Sequence, residues 1–132
     1  MIIIDGKNAT MGRLASYVAK QALRGEEIVV LNCKEVIITG NKQFIKEDYQ
    51  QRRRRVGSNQ KGPRVSQMPE KIVKKAIRGM LPNHRWGRGK EVLKKIKCYN
   101  ETPKEFEDKK KIVAGKEKGN KYVFVKDIFD KK

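Results

Sequence analysis

The strongest constraint on the fold is a pair of short apolar runs, "MIIID" at residues 1–5 and "EIVVLNC" at 27–33, with helical periodicity between them. β-branched side chains suit a pleated surface and are stiff in a helix, so both runs read as buried strands. Between them, Leu14, Ala15, Val18, Ala19, Ala22 and Leu23 share one face of a helix over 10–24. Thr10 is its candidate N-cap and Gly25 its stop. "EVIITG", 35–40, predicts a third short strand. A helix then starts near Asn41, turns Phe44, Ile45 and Tyr49 inward, and runs into four arginines.

Residues 56–67 read as a long loop with Gly57, Gly62 and Pro63. Pro69 opens a helix at its first position. Ile72, Val73, Ala76, Ile77 and Met80 make its inner face, and Gly79 and Pro82 end it. A short helix over 89–96 turns Val92, Leu93 and Ile96 inward, and a strand follows around 97–99. In "ETPKEF", Thr102 and Glu105 stand at capping-box spacing. "KYVFVKDIF" reads as a strand or an extended docking segment. Strand and helix alternate, which predicts an α/β fold with a parallel sheet and helices on its faces. The length of 132 residues suits one domain.

Charge separates the chain into three parts. Residues 1–51 are nearly balanced, at +1, and residues 98–132 carry +3. Residues 52–97 hold sixteen basic and two acidic residues, so +14 of the total +18 sits there. Lysines that merely aid solubility would not concentrate in this way. A polyanion is the natural partner, because phosphate contacts release counterions and supply most of the affinity. Nucleic acid is favoured over a membrane surface, since no basic helix carries a large aromatic face for lipid. No apolar run approaches the roughly 18 residues of a membrane span. Asp5 and Gly6 interrupt the first apolar run at once, so no secretory signal is expected.

Three basic elements follow one another. The first is Arg52, Arg53, Arg54 and Arg55 with Lys61 and Arg64. The second is the helix stripe Lys71, Lys74, Lys75 and Arg78. The third runs from Arg85 through Arg88 and Lys90 to Lys97. Arginine's planar fork suits phosphate oxygens and stacks on bases. Trp86 between two arginines admits two readings, a platform for an unpaired base or an aromatic lid on the core. Residues 54–67 lack apolar anchors. Burial there would not offset roughly 1–2 kcal/mol of backbone entropy per residue, so the segment is expected to be mobile alone and to order on RNA.

The turn "DGKNATMG" matches neither glycine-rich phosphate-loop pattern. Lys7, Asn8, Thr10 and Arg13 could still meet an RNA phosphate at a helix N-terminus, or the turn could be purely structural. Catalysis is not expected. The only histidine is His84, and Ser16, Ser58 and Ser66 have no base-and-orienter pair. Asp5 is read as a turn anchor or cation partner, and Glu26 and Glu27 as a solvated strand entry. Cys33 and Cys98 lack the paired spacing of a disulfide framework or a zinc site. Two reduced thiols in a cytosolic setting are expected.

The stretches "DGKNATMGRLAS", "IVVLNCKEVIITGNK" and "MPEKIVKKAIRGMLPNHRWGRGKEVLKKIKCY" resemble the large-subunit ribosomal protein thirteen family. "RRRRVGSNQKGPRV" and the short N-terminus resemble its archaeal form. The likeness covers roughly residues 4–100, and "GMLP" after a basic helix with "GR" beyond is its most specific piece. It implies a three-layer α/β fold with a small parallel sheet of about four strands. It also implies a place on the outside of the large subunit beside other ribosomal proteins, binding large-subunit rRNA early in assembly. Neither catalysis, cofactor nor metal is implied. The family's RNA-facing pieces fall on Lys7 to Arg13, on Gly40 with Asn41 and Lys42, on the arginine segment, and on "GMLPNHRWGR", which holds His84. Thr39, Asn41 and Lys42 would there set another helix N-terminus against phosphate; as structure alone they are a strand-to-helix turn. The implied organisation is a core over 1–100 with a basic loop at 52–68, and a C-terminal extension over 101–132 that packs on the core or on ribosomal neighbours. Two other readings stay open: a regulatory protein acting on messenger RNA, and a nucleotide-binding enzyme.

Overall fold

The chain runs β1 (Ile2–Asp5), α1 (Met11–Leu23), β2 (Ile28–Leu31), β3 (Ile37–Thr39), α2 (Lys42–Arg54), α3 (Pro69–Gly79), α4 (Gly87–Lys94), β4 (Ile96–Cys98), β5 (Ile112–Val113) and β6 (Tyr122–Phe124). The structure, a computed structural model, describes residues 1–55, 57–60, 62, 65–114 and 121–129. The expected mobility of residues 54–67 bears partly on Val56, Lys61, Pro63 and Arg64, which lie outside the described residues.

The two β-branched runs pair in parallel, Ile2 opposite Ile28 and Asp5 opposite Leu31. β4 joins the far side of β2, and β5 the far side of β1, so four parallel strands stand in the order β4-β2-β1-β5. Strand alternation sends Ile4, Ile28, Val30 and Ile96 to one face. There they pack with Leu14, Val18 and Ala22 of α1, Ile72, Val73 and Ile77 of α3, and Val92 of α4. Ile3, Val29 and Leu31 point the other way. Among the described residues that face is covered by Phe106 in a short 3-10 turn and by half-buried Tyr99, whose rings lie 6.0 Å apart.

β3 does not join the parallel sheet. It pairs antiparallel with β6, Ile37 opposite Phe124 and Thr39 opposite Tyr122. The amide of Val125 donates to the Val36 carbonyl at 2.8 Å. Val123, Val125 and Ile128, all essentially buried, enter the same core as α1 and α3.

Several expected inward residues face solvent. Phe44 is 68% exposed, because α2 rides over the small β3-β6 ribbon and needs only the stripe of Ile45 and Tyr49 to seat it. Met80 is 45% exposed, since it is the C-cap of α3 and no longer follows the helical stripe. Ile96 is buried as expected but belongs to β4 rather than to the preceding helix. The capping box does not form. Thr102 Oγ donates instead to Asn32 Oδ1 at 3.2 Å, and Pro103 stands at the head of the turn. Cys33 and Cys98, far apart in sequence, meet beside β2. Hydrogen bonding to Cys98, then burial, push the Cys33 thiol far up, so it stays protonated.

One close approach makes a test of the packing. Gly89 on α4 lies under the turn after α3, where a Cβ would sit 2.3 Å from the Pro82 carbonyl oxygen and 2.4 Å from that of Asn83. Those atoms are backbone and cannot swing aside. Gly89→Ala should cost about 1–3 kcal/mol by overpacking, read as a lowered midpoint in urea unfolding. An unchanged midpoint would show that the turn does not rest on α4.

Candidate nucleic-acid interface

The turn after β1 is built to hold its shape. Asp5 Oδ1 accepts from the Lys7 amide at 3.0 Å and from Asn32 Nδ2 at 2.9 Å. Asn8 adopts a positive φ of 59°, which asparagine tolerates, and its amide donates to the Glu35 carbonyl at 3.0 Å. Asp5 is therefore the anchor of this turn. Thr10 caps α1 by backbone conformation, without a side-chain cap bond. Lys7 and Arg13 are exposed on either side, Asn8 and Thr10 half-buried, and the first turn of α1 holds no acidic residue.

α2 begins with a true side-chain cap. Asn41 Oδ1 accepts from the amides of Gln43 at 3.0 Å and Phe44 at 3.5 Å. That oxygen occupies amides an anion would otherwise meet, so Lys42 is the more exposed invitation to phosphate. Pairing of β6 with β3 brings Lys121 to the same spot, where it lines a shallow depression of about 250 Å³ with Lys42 and Tyr122. Lys121 escaped the sequence reading because only a pairing between residues some eighty apart places it there.

At the other end of α2 the arginines are helical. Arg52, Arg53 and Arg54 form its last turn and Arg55 is the C-cap, so the basic loop expected over 52–68 starts later. Cations at a helix C-terminus complement the dipole. Arg52 also pairs with Asp48 at 2.9 Å and lies 5.7 Å from the centre of the Tyr49 ring. Arg53 lies 5.9 Å from the Phe129 ring, which meets Tyr49 edge-on at 6.1 Å. Burial, opposed in part by Arg52, raises the Tyr49 phenol, so it stays neutral. Among the described residues, Arg54 and Arg55 make no ion pair, and both are exposed. Lys61 and Arg64 lie outside the described residues.

Arg52 of the first basic element meets the second. A cleft of about 440 Å³ opens between α2 and α3, with Met11 of α1 and Leu93 of α4 at its floor. Arg52 stands on one side, and Lys71, Lys74, Lys75 and Arg78 on the other. Helical spacing of the four α3 residues puts them on the solvent side of Ile72, Val73 and Ile77, which are core. Asn100 Oδ1 fixes the head of α3 by accepting from the Glu70 amide at 2.9 Å.

The third element is the loop before α4. Trp86 is 66% exposed at the N-cap position of α4, which removes the core-lid reading and leaves an aromatic surface open among the described residues. Arg85 beside it is exposed, and its amide donates to Asn83 Oδ1 at 3.0 Å, closing the loop tightly. His84 is half-buried and Lys90 exposed. Arg88 is partly engaged already, since its Nη2 donates to the Leu23 carbonyl at the end of α1.

Among the described residues, no three His, Cys, Asp or Glu side chains gather where they could hold a metal. Nor is any described helix long and apolar enough to cross a membrane.

Comparison with known proteins shows the family of the chain. The family model described as Ribosomal protein L13 matches residues 1–105. A protein named Large ribosomal subunit protein uL13 from Methanococcus maripaludis is 51% identical over 100 residues, 74% of this chain and 72% of the relative. Its namesake in Thermoplasma volcanium is 44% identical over 110 residues, 83% of this chain and 79% of the relative. The namesake in Methanocaldococcus jannaschii is 39% identical over 131 residues, 97% of this chain and 94% of the relative. That last match extends well past the end of the family model, into the segment that carries β5 and β6.

Proposed function

Because the chain belongs to the ribosomal protein L13 family, we propose that it is a structural constituent of the large ribosomal subunit. It binds large-subunit rRNA in the cytoplasm and supports early assembly of the subunit. It is not an enzyme. The observation that carries the RNA-binding reading is the convergence of Arg52 with Lys71, Lys74, Lys75 and Arg78 around one cleft. Residues 52–97 hold sixteen cations and two carboxylates, so the segment cannot neutralise its own charge.

The residues proposed to meet RNA fall into four groups on the fold. Lys7, Asn8, Thr10 and Arg13 flank the turn before α1. Arg52 and the α3 stripe line the cleft, Arg53 to Arg55 follow Arg52 at the end of α2, and Lys61 and Arg64 belong in sequence to the connecting segment. His84, Arg85, Trp86, Arg88 and Lys90 surround the head of α4. Asn41 and Lys42, joined by Lys121, make a fourth, smaller contact at the head of α2. Phosphate contacts fix register on the RNA, and Trp86 supplies a face for an unpaired base. We also propose that residues 101–132 act as one unit with the core rather than as a separate module.

The test is the salt dependence of binding to large-subunit rRNA. With on the order of six or more phosphates neutralised, log affinity should fall with log salt at a slope of about 0.7 to 0.9 per contact. The steepness should be greatest for the intact chain and should fall when α3 cations are removed. An affinity that ignores salt would sink the reading. Co-sedimentation with large subunits through a high-salt wash would place the protein in the particle rather than on messenger RNA.

A further inference from the structure

We propose that the cleft between α2 and α3 holds a single unstacked nucleotide of the RNA, its base on the apolar floor and its flanking phosphates on the cationic rim. The proposal rests on the rRNA-binding reading and adds what part of the RNA the chain grips.

Shape argues first. A run of duplex phosphates presents a convex surface, which a flat basic face would suit. This surface is instead concave, about 440 Å³, within the roughly 300–1,000 Å³ typical of small-molecule sites. One nucleotide is an object of that size class; a helix is not.

The lining argues second. Met11, Ile72, Ala76 and Leu93 give the floor an apolar character that phosphate cannot use and that the face of a base can. Tyr49 forms part of the wall, and the Arg52 guanidinium sits over its ring. The pair is a pre-assembled stacking element, because bases stack on both aromatic rings and guanidinium planes. Asp48 and Phe129 hold the two in place from outside the cleft.

Charge argues third. Among the described residues, five cations line the cleft and no carboxylate does. On α3 they recur at each helical turn, about 5.4 Å of rise, so they follow a strand passing across the mouth. An acidic peptide would satisfy the cations but leave the floor and the stacking pair unused. A free mononucleotide would use the floor but neutralise little of the rim.

The experiment uses the full chain and transcribed large-subunit rRNA carrying sparse 4-thiouridine. Ultraviolet cross-linking followed by mass spectrometry should place uridine on Tyr49, Met11 or the floor of α3. Cross-links confined to the 84–86 loop and the outer lysines would overturn the proposal. The variant Ala76→Phe fills the floor and keeps every cation. It should bind rRNA on the order of tenfold more weakly with an unchanged salt slope. Lys71→Ser with Lys75→Ser should instead flatten the slope, by about 0.7 per contact removed. If Ala76→Phe unfolds, the cross-link map decides alone; if it folds and binds as tightly as the parent, the proposal fails. Competition by free UMP or AMP at micromolar concentration would assign the cleft to a mononucleotide, and competition only by an acidic peptide would assign it to a protein neighbour; either overturns the RNA occupant. A parent chain that does not bind rRNA would defeat the underlying reading, whereas a parent that binds while Ala76→Phe is indifferent would defeat only the cleft.

Discussion

Removing residues 121–132 should abolish cooperative unfolding of the chain. Val123, Val125 and Ile128 are at most 2% exposed. Burying three such side chains contributes roughly 5–9 kcal/mol, against a typical total stability of about 5–15 kcal/mol. The deletion also leaves β3 without its partner and removes Phe129 from Tyr49. Thermal unfolding followed by circular dichroism should lose its sharp transition near the parent midpoint. A truncated chain that still melts cooperatively within a few degrees of the parent would show that the C-terminal segment is an appendage. Ile128→Ala is the graded version and should cost about 2–5 kcal/mol by the lost contacts and the cavity left behind.

This dependence was the least legible feature of the sequence. β1, α1, β2, α3 and α4 were readable because each carries its own periodicity, such as Ile2 to Ile4, or Leu14, Val18 and Ala22. The pairing of "YVF" with "IIT" has no local signature. It depends on contacts between residues some eighty apart, and β-propensity specifies a pleated surface rather than a partner. Met80 was misassigned because it continues a helical stripe in sequence while the chain has already left the helix at Gly79. Phe44 was misassigned because the width of α2's buried stripe is set by the narrow ribbon beneath it. The interface was half legible. Composition located the cations, since a +14 segment is visible in any window. It could not show that Arg52 and the α3 stripe face one cleft, that Lys121 joins Lys42, or that Arg88 is already bonded to the end of α1.

Folding gives the arginines a second use, which divides them. Arg52 and Arg53 support the chain through the Asp48 pair and the Tyr49 and Phe129 rings. An exposed i,i+4 pair contributes about 0.3–0.5 kcal/mol and an exposed cation–π contact about 0.5–1 kcal/mol. Arg54 and Arg55 have no such partner among the described residues, so beyond the weak dipole contribution their charge is available to RNA. Replacing Arg52 to Arg55 together with serine should therefore lower the melting temperature by several degrees, not leave it untouched as a free loop would. The loss of rRNA binding should be far larger. Charge-assisted hydrogen bonds are worth about 1.5–3 kcal/mol each, and each 1.4 kcal/mol is tenfold, so even two lost contacts imply a drop on the order of a hundredfold or more. The decisive comparison is between halves. Arg54→Ser with Arg55→Ser should stay within a few degrees of the parent melting temperature, losing only the helix-dipole contribution, and still flatten the salt slope by about 0.7 to 0.9 per contact. Arg52→Ser with Arg53→Ser should lose both stability and affinity. Should the Arg54 and Arg55 variant bind rRNA with the parent's affinity and slope, the end of α2 is a helix terminus and nothing more, and the polyanion must be held by α3 and the α4 loop.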